Sequence, residues 1–204
     1  MAAAITSSSL PTPPTPTSGN YLSFVAQEDG TFKFSGTTSA NTVQYSLDSG
    51  TTWISLASDT NTPTVQSGKE IWWKGECTPK LSYGIGRFGS SNRFIVKGNA
   101  ISLLYGDNFD GQTSLSGKYS AFMHLFSGCT SLTSAEEMEL PATTLVQQCY
   151  FGMFDYCRSL NYIKCLATDI SAEYCTLEWV DNVASTGTFV KASSMTSWET
   201  GANG

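Results

Sequence analysis

Residues 126–132 read FSGCTSL, and residues 154–160, which lie 28 positions further along the chain, read FDYCRSL. Phenylalanine, cysteine, serine and leucine fall on matched positions in the two segments. A second pair, Cys149 and Met153, has a looser echo 26 residues later in Cys175 and Trp179. Self-similarity at such a period indicates a solenoid, in which each repeat supplies one strand and one helix or turn.

The number of repeats is small. A period of about 20–29 residues is typical of leucine-rich repeats. From Ser120 onward the chain holds two such repeats and an ending from Thr186 to Gly204. Because about three repeats are normally needed for independent stability, we expect either the preceding domain or a partner to cover one end of this module.

The region before the repeats has the pattern of short β-strands. Residues 43–47 alternate between apolar and polar, and the Asp48-Ser49-Gly50 turn leads into a returning strand. Asp29-Gly30 is a second hairpin signal, and Ile101–Tyr105 reads as the last strand. Six or seven strands at this spacing predict an Ig-like β-sandwich. The sequence therefore predicts a mainly β chain with an extended arm (1–20), an Ig-like β-sandwich (21–112) and a short leucine-rich-repeat-like β-solenoid module (113–204).

Prolines alternate with threonine in the first twenty residues. Such a segment cannot form a helix or an inner strand, and it favours an extended polyproline conformation. A flexible linker and an anchoring arm that lies along a partner both fit this composition. We favour the anchoring arm, whose predicted partner-binding residues are Leu10, Pro11, Pro13, Pro14 and Pro16.

Composition excludes several classes of function. The net charge is −6 with 14% charged residues, so the chain lacks the clustered cations that phosphate binding requires. A single histidine argues against histidine-based metal sites and catalysis. Residues 1–20 show no basic segment followed by an apolar stretch of about 7–15 residues, and no run approaches the roughly 18 apolar residues of a membrane span. We expect no leader, no membrane insertion and no nucleic-acid partner.

Six cysteines allow three interpretations: a disulfide framework, a metal site or a buried ladder. Cys129 and Cys157 share one repeat position, and Cys149 and Cys175 share another. In solenoids, equivalent inward positions stack on one another, and a buried free cysteine acts as a small apolar residue. No Cys-x-x-Cys spacing occurs. We favour the ladder and expect no metal and no cofactor.

Residues 84–89 match the G-x-G-x-x-G pattern of dinucleotide sites. The pattern needs a helix to follow it, and residues 90–92 do not begin an apolar-periodic helix. We predict a flexible loop here.

Two adjacent tryptophans, Trp72 and Trp73, are candidate exposed aromatic contacts. Successive side chains of a strand point to opposite faces, so one of the two must lie at least partly outside the sandwich core. Both a domain or subunit interface and a sugar site remain open for this aromatic surface.

The repeat region resembles the BspA-type leucine-rich repeats, which are abundant in surface proteins of gut Bacteroidetes and in phages that infect them. The segments that carry the resemblance are residues 126–135, 140–145, 149–157, 160–170 and 183–191. The resemblance as a whole extends over about 80 of the 204 residues. The chain departs from the family at residues 134–139, which are longer and more acidic than the usual strand region.

The resemblance implies two alternative functions. A repeat module behind an Ig-like sandwich and an arm resembles a phage head fibre or capsid decoration protein, assembled in the cytosol and placed on the virion surface. Its implied partners are a capsid or neighbouring fibre protein bound through residues 1–20, further copies of itself, and a host-surface glycan or protein. The alternative is a secreted adhesin on the bacterial cell surface. We expect no enzyme, because the sequence suggests no pair of carboxylates converging across a cleft.

Overall fold

The computed structural model describes residues 5–6, 9–10, 20–37, 41–196 and 198. The fold is mainly β, and the described residues form one short α-helix, α1 (Ser102–Tyr105), followed by a 3₁₀ turn (Gly106–Asn108). The strands are β1 (Ile5–Thr6), β2 (Ser9–Leu10), β3 (Leu22–Ala26), β4 (Phe32–Ser35), β5 (Val43–Ser46), β6 (Ile54–Ser55), β7 (Glu70–Gly75), β8 (Arg87–Ser90), β9 (Phe94–Asn99), β10 (Leu132–Glu139), β11 (Tyr162–Cys165) and β12 (Gly187–Ala192).

The main sheet has the strand order β1-β12-β11-β10-β9-β3-β7-β5-β6, with β2 also paired to β12. The part of this sheet built from β3, β5, β6, β7 and β9 is antiparallel. In it, β3 lies between β7 and β9, and β5 lies between β7 and β6. The Asp48-Ser49-Gly50 turn joins β5 to β6, as the sequence predicts, and Gln44 pairs with Ser55 across it. Period-two alternation therefore gives this part of the sheet one buried face and one outer face.

A second, two-stranded sheet of β4 and β8 packs on the buried face of the main sheet. The Phe24 ring of β3 lies 5.4 Å from the Phe32 ring and 4.8 Å from the Phe88 ring, measured between centroids. The hairpin prediction at Asp29-Gly30 was wrong, because β3 and β4 do not pair with each other. The turn carries the chain from one sheet to the other, where Phe32 and Phe34 become fully buried.

The remaining part of the main sheet is parallel. β10 pairs with β9, β11 pairs with β10, and β12 pairs with β11, all in the same direction. Since β9 belongs to the predicted sandwich region and β10 to the predicted repeat module, the sheet continues across residue 112. The domain boundary itself stays a prediction, but the two regions share a sheet.

Three turn-rich segments, residues 119–129, 147–157 and 173–182, stack beside the parallel strands. Backbone N–H groups alternate between two kinds of acceptor. Phe126 N–H donates to Met153 O of the next segment (2.9 Å), whereas Cys129 N–H donates to Phe126 O within its own segment (2.9 Å). The rings of Phe126 and Phe154, 28 positions apart, stack at 5.6 Å with 5° between their planes. The repeat spacing of the sequence is thus the spacing of stacked positions.

Two local predictions were wrong. Ile101–Tyr105 is not a strand: Ile101 N–H donates to the Asn99 side chain (2.9 Å), and α1 follows, with Ser102 Oγ donating to Trp73 O (3.0 Å). The predicted loop at residues 84–89 is in part β8, because Phe88 is buried and Arg87–Ser90 pairs with β4. Among the described residues, no helix has the length and apolar character needed to cross a membrane.

Candidate functional site

The outer face of the antiparallel sheet is where the predicted aromatic contact lies. On β7, Ile71, Trp73 and Gly75 are buried, whereas Trp72 and Lys74 are half-buried on the opposite face. The prediction of an exposed contact was wrong for Trp73, which is fully buried with its ring 5.4 Å from the Phe24 ring. The layer of β4 and β8 covers its face. A role for Trp72 in partner contact stays a prediction.

Aromatic side chains, Trp72 among them, gather around Tyr21. The ring of Tyr21 lies 5.0 Å from that of Trp53, 5.8 Å from that of Trp72 and 4.7 Å from that of Phe109. The Lys74 ammonium lies 4.4 Å from the centre of the Trp53 ring, within the range of a cation–π contact. The cluster therefore fixes the position of a cation at the surface of the sheet.

The same lysine forms an ion pair. Lys74 Nζ lies 2.7 Å and 2.9 Å from the two carboxylate oxygens of Asp107, and Tyr21 Oη donates to Asp107 Oδ1 at 2.7 Å. The hydrogen bond from Lys74, followed by that from Tyr21, lowers the pKa of Asp107. Burial, and then the bond to Asp107, raises the pKa of Tyr21 to about 12. At neutral pH Asp107 is thus a carboxylate and Tyr21 a neutral phenol, and both Lys74 and Tyr21 hold this carboxylate in place.

A cleft of about 290 Å³ opens beside this cluster, between β5, β6, the end of β7 and the 3₁₀ turn. We call it the polar cleft. Two glycines, Gly75 and Gly106, form part of its wall. The side chains that line the rest are hydrogen-bond donors and acceptors, namely Thr42, Gln44, Ser55, Lys74, Glu76 and Asp107. Gln44 lies opposite Ser55 on one neighbouring strand and Lys74 on the other, and its side-chain amide donates to Ser55 Oγ at 3.5 Å.

Sequence reasoning identified Trp72 but missed Tyr21, Gln44, Lys74 and Asp107. Alternation along β7 places Lys74 on the face of Trp72, and that signal was present in the sequence. The contributions of Tyr21 and Asp107 come from distant elements, and no local pattern joins them.

All six cysteines are free and buried. Cys129 Sγ donates to Phe88 O at 3.1 Å, and Cys157 Sγ donates to Phe126 O at 3.0 Å. Burial raises the pKa of the Cys129 thiol to about 12 and that of Cys157 well above its usual value. The prediction of buried, unpaired cysteines at equivalent repeat positions is confirmed. Such thiols are poor nucleophiles, since the thiolate is the reactive form.

The N-terminal arm meets the far edge of the main sheet. Ile5 and Thr6 pair with Gly187 and Thr188 of β12, and Ser9 and Leu10 pair with Lys191 and Ala192, all in parallel. Of the predicted partner-binding residues, Leu10 is therefore held by backbone pairing within this chain. The others, Pro11, Pro13, Pro14 and Pro16, lie outside the described residues.

Within the described part of the chain, no group of three or more histidine, cysteine, aspartate or glutamate side chains is placed to hold a metal ion. Comparisons of the chain with protein-family models, with curated proteins and with solved structures gave no match. Its function is therefore argued from its own surfaces: the polar cleft, and the arm with the strand edge that it meets.

Proposed function

We propose that the chain is a structural contact protein of a bacteriophage virion, a head-fibre or capsid decoration subunit anchored through residues 1–20. The observation that carries the proposal is the pairing of residues 5–6 and 9–10 with β12. It supports an arm suited to strand addition, in which backbone hydrogen bonds supply affinity with little demand on side chains. Release of residues 5–6 and 9–10 from β12 would free the same backbone groups to add to an open strand edge of a capsid or neighbouring fibre protein.

We further propose that the chain consists of an Ig-like sandwich followed by a leucine-rich-repeat-like solenoid. The two-layer packing of β4 and β8 against β3 and β7 supports an Ig-like sandwich over residues 21–112. The stacked turn segments beside parallel strands support a short leucine-rich-repeat-like solenoid over residues 113–204. A module with so few repeats gains stability from β9, which extends its parallel ladder and covers one end.

Free cysteines bear on the choice between a virion and a cell-surface protein. Disulfides form in oxidising compartments and are rare in the cytosol. Six buried thiols fit a protein that folds in a reducing cytosol and is released with the particle. We therefore prefer the virion surface to the alternative, a secreted bacterial adhesin. The further partners in this proposal are additional copies of the chain and a glycan or protein of the host surface.

We assign the chain no enzymatic activity. Lys74 and Tyr21 both donate to Asp107, so this carboxylate serves as a fixed hydrogen-bond acceptor. The buried thiols are held in their neutral form by desolvation. Both features suit a protein whose work is contact.

Deletion of residues 2–18 tests the anchoring arm. Tagged full-length and deleted chains are produced in the host during particle assembly, and the amount of each in purified particles is measured by immunoblot. We expect the deleted chain to be lost from particles while it remains folded by circular dichroism. As a matched control, Ser7→Ala and Ser8→Ala together should leave incorporation unchanged. Incorporation of the deleted chain at the full-length level would overturn the proposal, and surface labelling of intact uninfected cells would favour the adhesin.

A further inference from the structure

We propose that the polar cleft is a binding site for a neutral saccharide of one or two rings. This inference deepens the proposed attachment function, on which its biological setting rests, by naming a site and a ligand class. The volume of about 290 Å³ lies at the lower bound of ligand pockets, roughly 300–1,000 Å³. A saccharide of one or two rings therefore fits the cleft, whereas a longer oligosaccharide would extend beyond it.

The chemistry of the wall matches a polyol. Each sugar hydroxyl both donates and accepts a hydrogen bond, so a saccharide needs donors and acceptors interleaved around it. Gln44 supplies both through its amide, Ser55 supplies both through its hydroxyl, and Glu76 and Asp107 accept. Gln44 already donates to Ser55, and Asp107 already accepts from Lys74 and Tyr21, so a polyol would use the remaining lone pairs and N–H groups. An apolar ligand would separate Glu76 and those remaining groups from water without replacing it, which costs binding free energy.

Charge argues for a neutral ligand. The wall carries two carboxylates, Glu76 and Asp107, and one ammonium, Lys74, which is already paired with Asp107 at 2.7 Å. A phosphate, sulfate or sialic acid would therefore meet an excess of negative charge. A neutral sugar would be free of that repulsion and would gain charge-assisted hydrogen bonds to the carboxylates.

The site is organised before a ligand arrives. Gln44 and Lys74 project from neighbouring strands of a hydrogen-bonded sheet. The Trp53 ring and Asp107 together fix the Lys74 ammonium, and Tyr21 fixes the carboxylate from the other side. Groups that are held in place lose little freedom on binding, which is the condition for a small polar ligand to bind at all.

The first test presents the purified chain to an array of immobilised neutral, sialylated and sulfated oligosaccharides. The best neutral sequences are then titrated as free mono- and disaccharides by saturation-transfer NMR and calorimetry. We expect neutral sugars to bind with a Kd of about 1 mM, as a ligand of this size allows. Binding of charged sugars only, or of no sugar at all, would overturn the proposal.

Variants then locate the site. Gln44→Ala and Glu76→Ala each remove a hydrogen-bonding group from the wall without touching the core, and each should weaken binding about 10-fold. Ser55→Phe should abolish binding by filling the cleft from an exposed strand position. Gln66→Ala, on a distant exposed turn, is the matched control and should bind like the native chain. Native affinity in the folded Ser55→Phe and Gln44→Ala variants would place the sugar elsewhere and refute the assignment.

The outcome is independent of the anchoring test. Because the cleft is formed by residues 42–107, the chain lacking residues 2–18 should bind the same saccharide with unchanged affinity. If that chain still enters particles but binds the sugar, the anchoring proposal fails and the saccharide site stands. If it is lost from particles and the full-length chain binds no sugar, the reverse holds.

Discussion

The antiparallel and parallel parts of the main sheet are held together in different ways. In the antiparallel part, a cluster of large rings fills the space between two layers, and Phe24 alone contacts the rings of Phe32, Trp73, Phe88, Phe94 and Phe126. In the parallel part, equivalent positions stack from one turn segment to the next, and many backbone N–H groups reach the neighbouring segment. We infer that stability rests mainly on a few large side chains in the first part, and on many repeated backbone and ring contacts in the second.

Besides the pairing of β10 with β9, the two parts meet at a set of aromatic rings. Phe126, from the first turn segment, lies 5.8 Å from Phe24 and stacks on Phe88 at 5.6 Å. The other side of Phe126 stacks on Phe154. The aromatic core of the antiparallel part thus continues directly into the ladder of the parallel part, and we expect the two parts to unfold together.

Replacing Phe24 with alanine should have the largest effect. The substitution leaves a cavity at the junction of both sheets and the first turn segment, and should lower the free energy of unfolding by about 3–5 kcal/mol. Guanidinium denaturation followed by tryptophan fluorescence and by far-UV circular dichroism measures this loss. If the two parts form one cooperative unit, both signals will move to the same lower midpoint.

The matched control is Phe151→Ala, which removes a ring of the same size from the half-buried outer side of a turn segment, where it contacts His124. We expect a clearly smaller loss there, because less apolar surface returns to water. Equal losses at the two positions would contradict the large contribution assigned to Phe24, and separate transitions for the two signals would show that the two parts do not unfold together.

Much of this contrast could be read from the sequence, and some of it could not. The match of Phe126 with Phe154 and of Cys129 with Cys157 gave the stacking period, because identical environments in successive segments select identical residues. Adjacent Trp72 and Trp73 had to face opposite ways, but which one is buried depends on the layer that covers the sheet. One strand of that layer, β8, was predicted to be a loop, because its four residues give too short a periodic signal to separate a strand from a loop.

Long-range pairing was the other gap. The run at residues 101–105 is short and apolar, and periodicity cannot distinguish a strand from a helix in so few residues. The helical turn of this run is held by the hydrogen bond from Ile101 N–H to the Asn99 side chain and by that from Ser102 Oγ to Trp73 O. The polar cleft is likewise assembled from four separate elements, so local spacing carries no sign of it.

Gly152 offers a test of the backbone cost in the parallel part. Its φ of +54° lies in the left-handed region, and an added Cβ would overlap the His124 imidazole. We expect Gly152→Ala to lower stability by about 2–3 kcal/mol, with roughly 1 kcal/mol from the backbone and the rest from the overlap. Chemical denaturation of the variant measures the sum.

Two companions separate those contributions. Gly128 has a φ of +76°, and an added Cβ would meet open space, so Gly128→Ala should lose only about 1 kcal/mol. Gly152→Ala should also be introduced into the His124→Ala variant, where no imidazole is left to overlap the added Cβ. In that background we expect Gly152→Ala to cost little more than the backbone contribution of roughly 1 kcal/mol. If Gly152→Ala and Gly128→Ala are equally destabilised, the imidazole relaxes freely and turn segments are less tightly packed than their stacking indicates.

The smallest expected effect lies on the outer face of the antiparallel part, at the pair of Lys74 and Asp107. The folded pKa of Asp107 is lower than its ordinary value, so the carboxylate stabilises the fold above the unfolded pKa of about 3.9, and this stabilisation is lost as the pH falls through the folded pKa.

The Asp107 side chain is 64% exposed, and solvent screening limits the contribution to less than about 1 kcal/mol. Asp107→Asn should therefore be slightly less stable than the native chain at pH 7, and the two should begin to converge as the pH falls below about 4. Asp110→Asn, a change to an exposed carboxylate nearby, is the control and should be as stable as the native chain at pH 7. A difference between Asp107→Asn and the native chain that stays constant from pH 7 to pH 3 would mean that the residue acts through packing rather than through its charge.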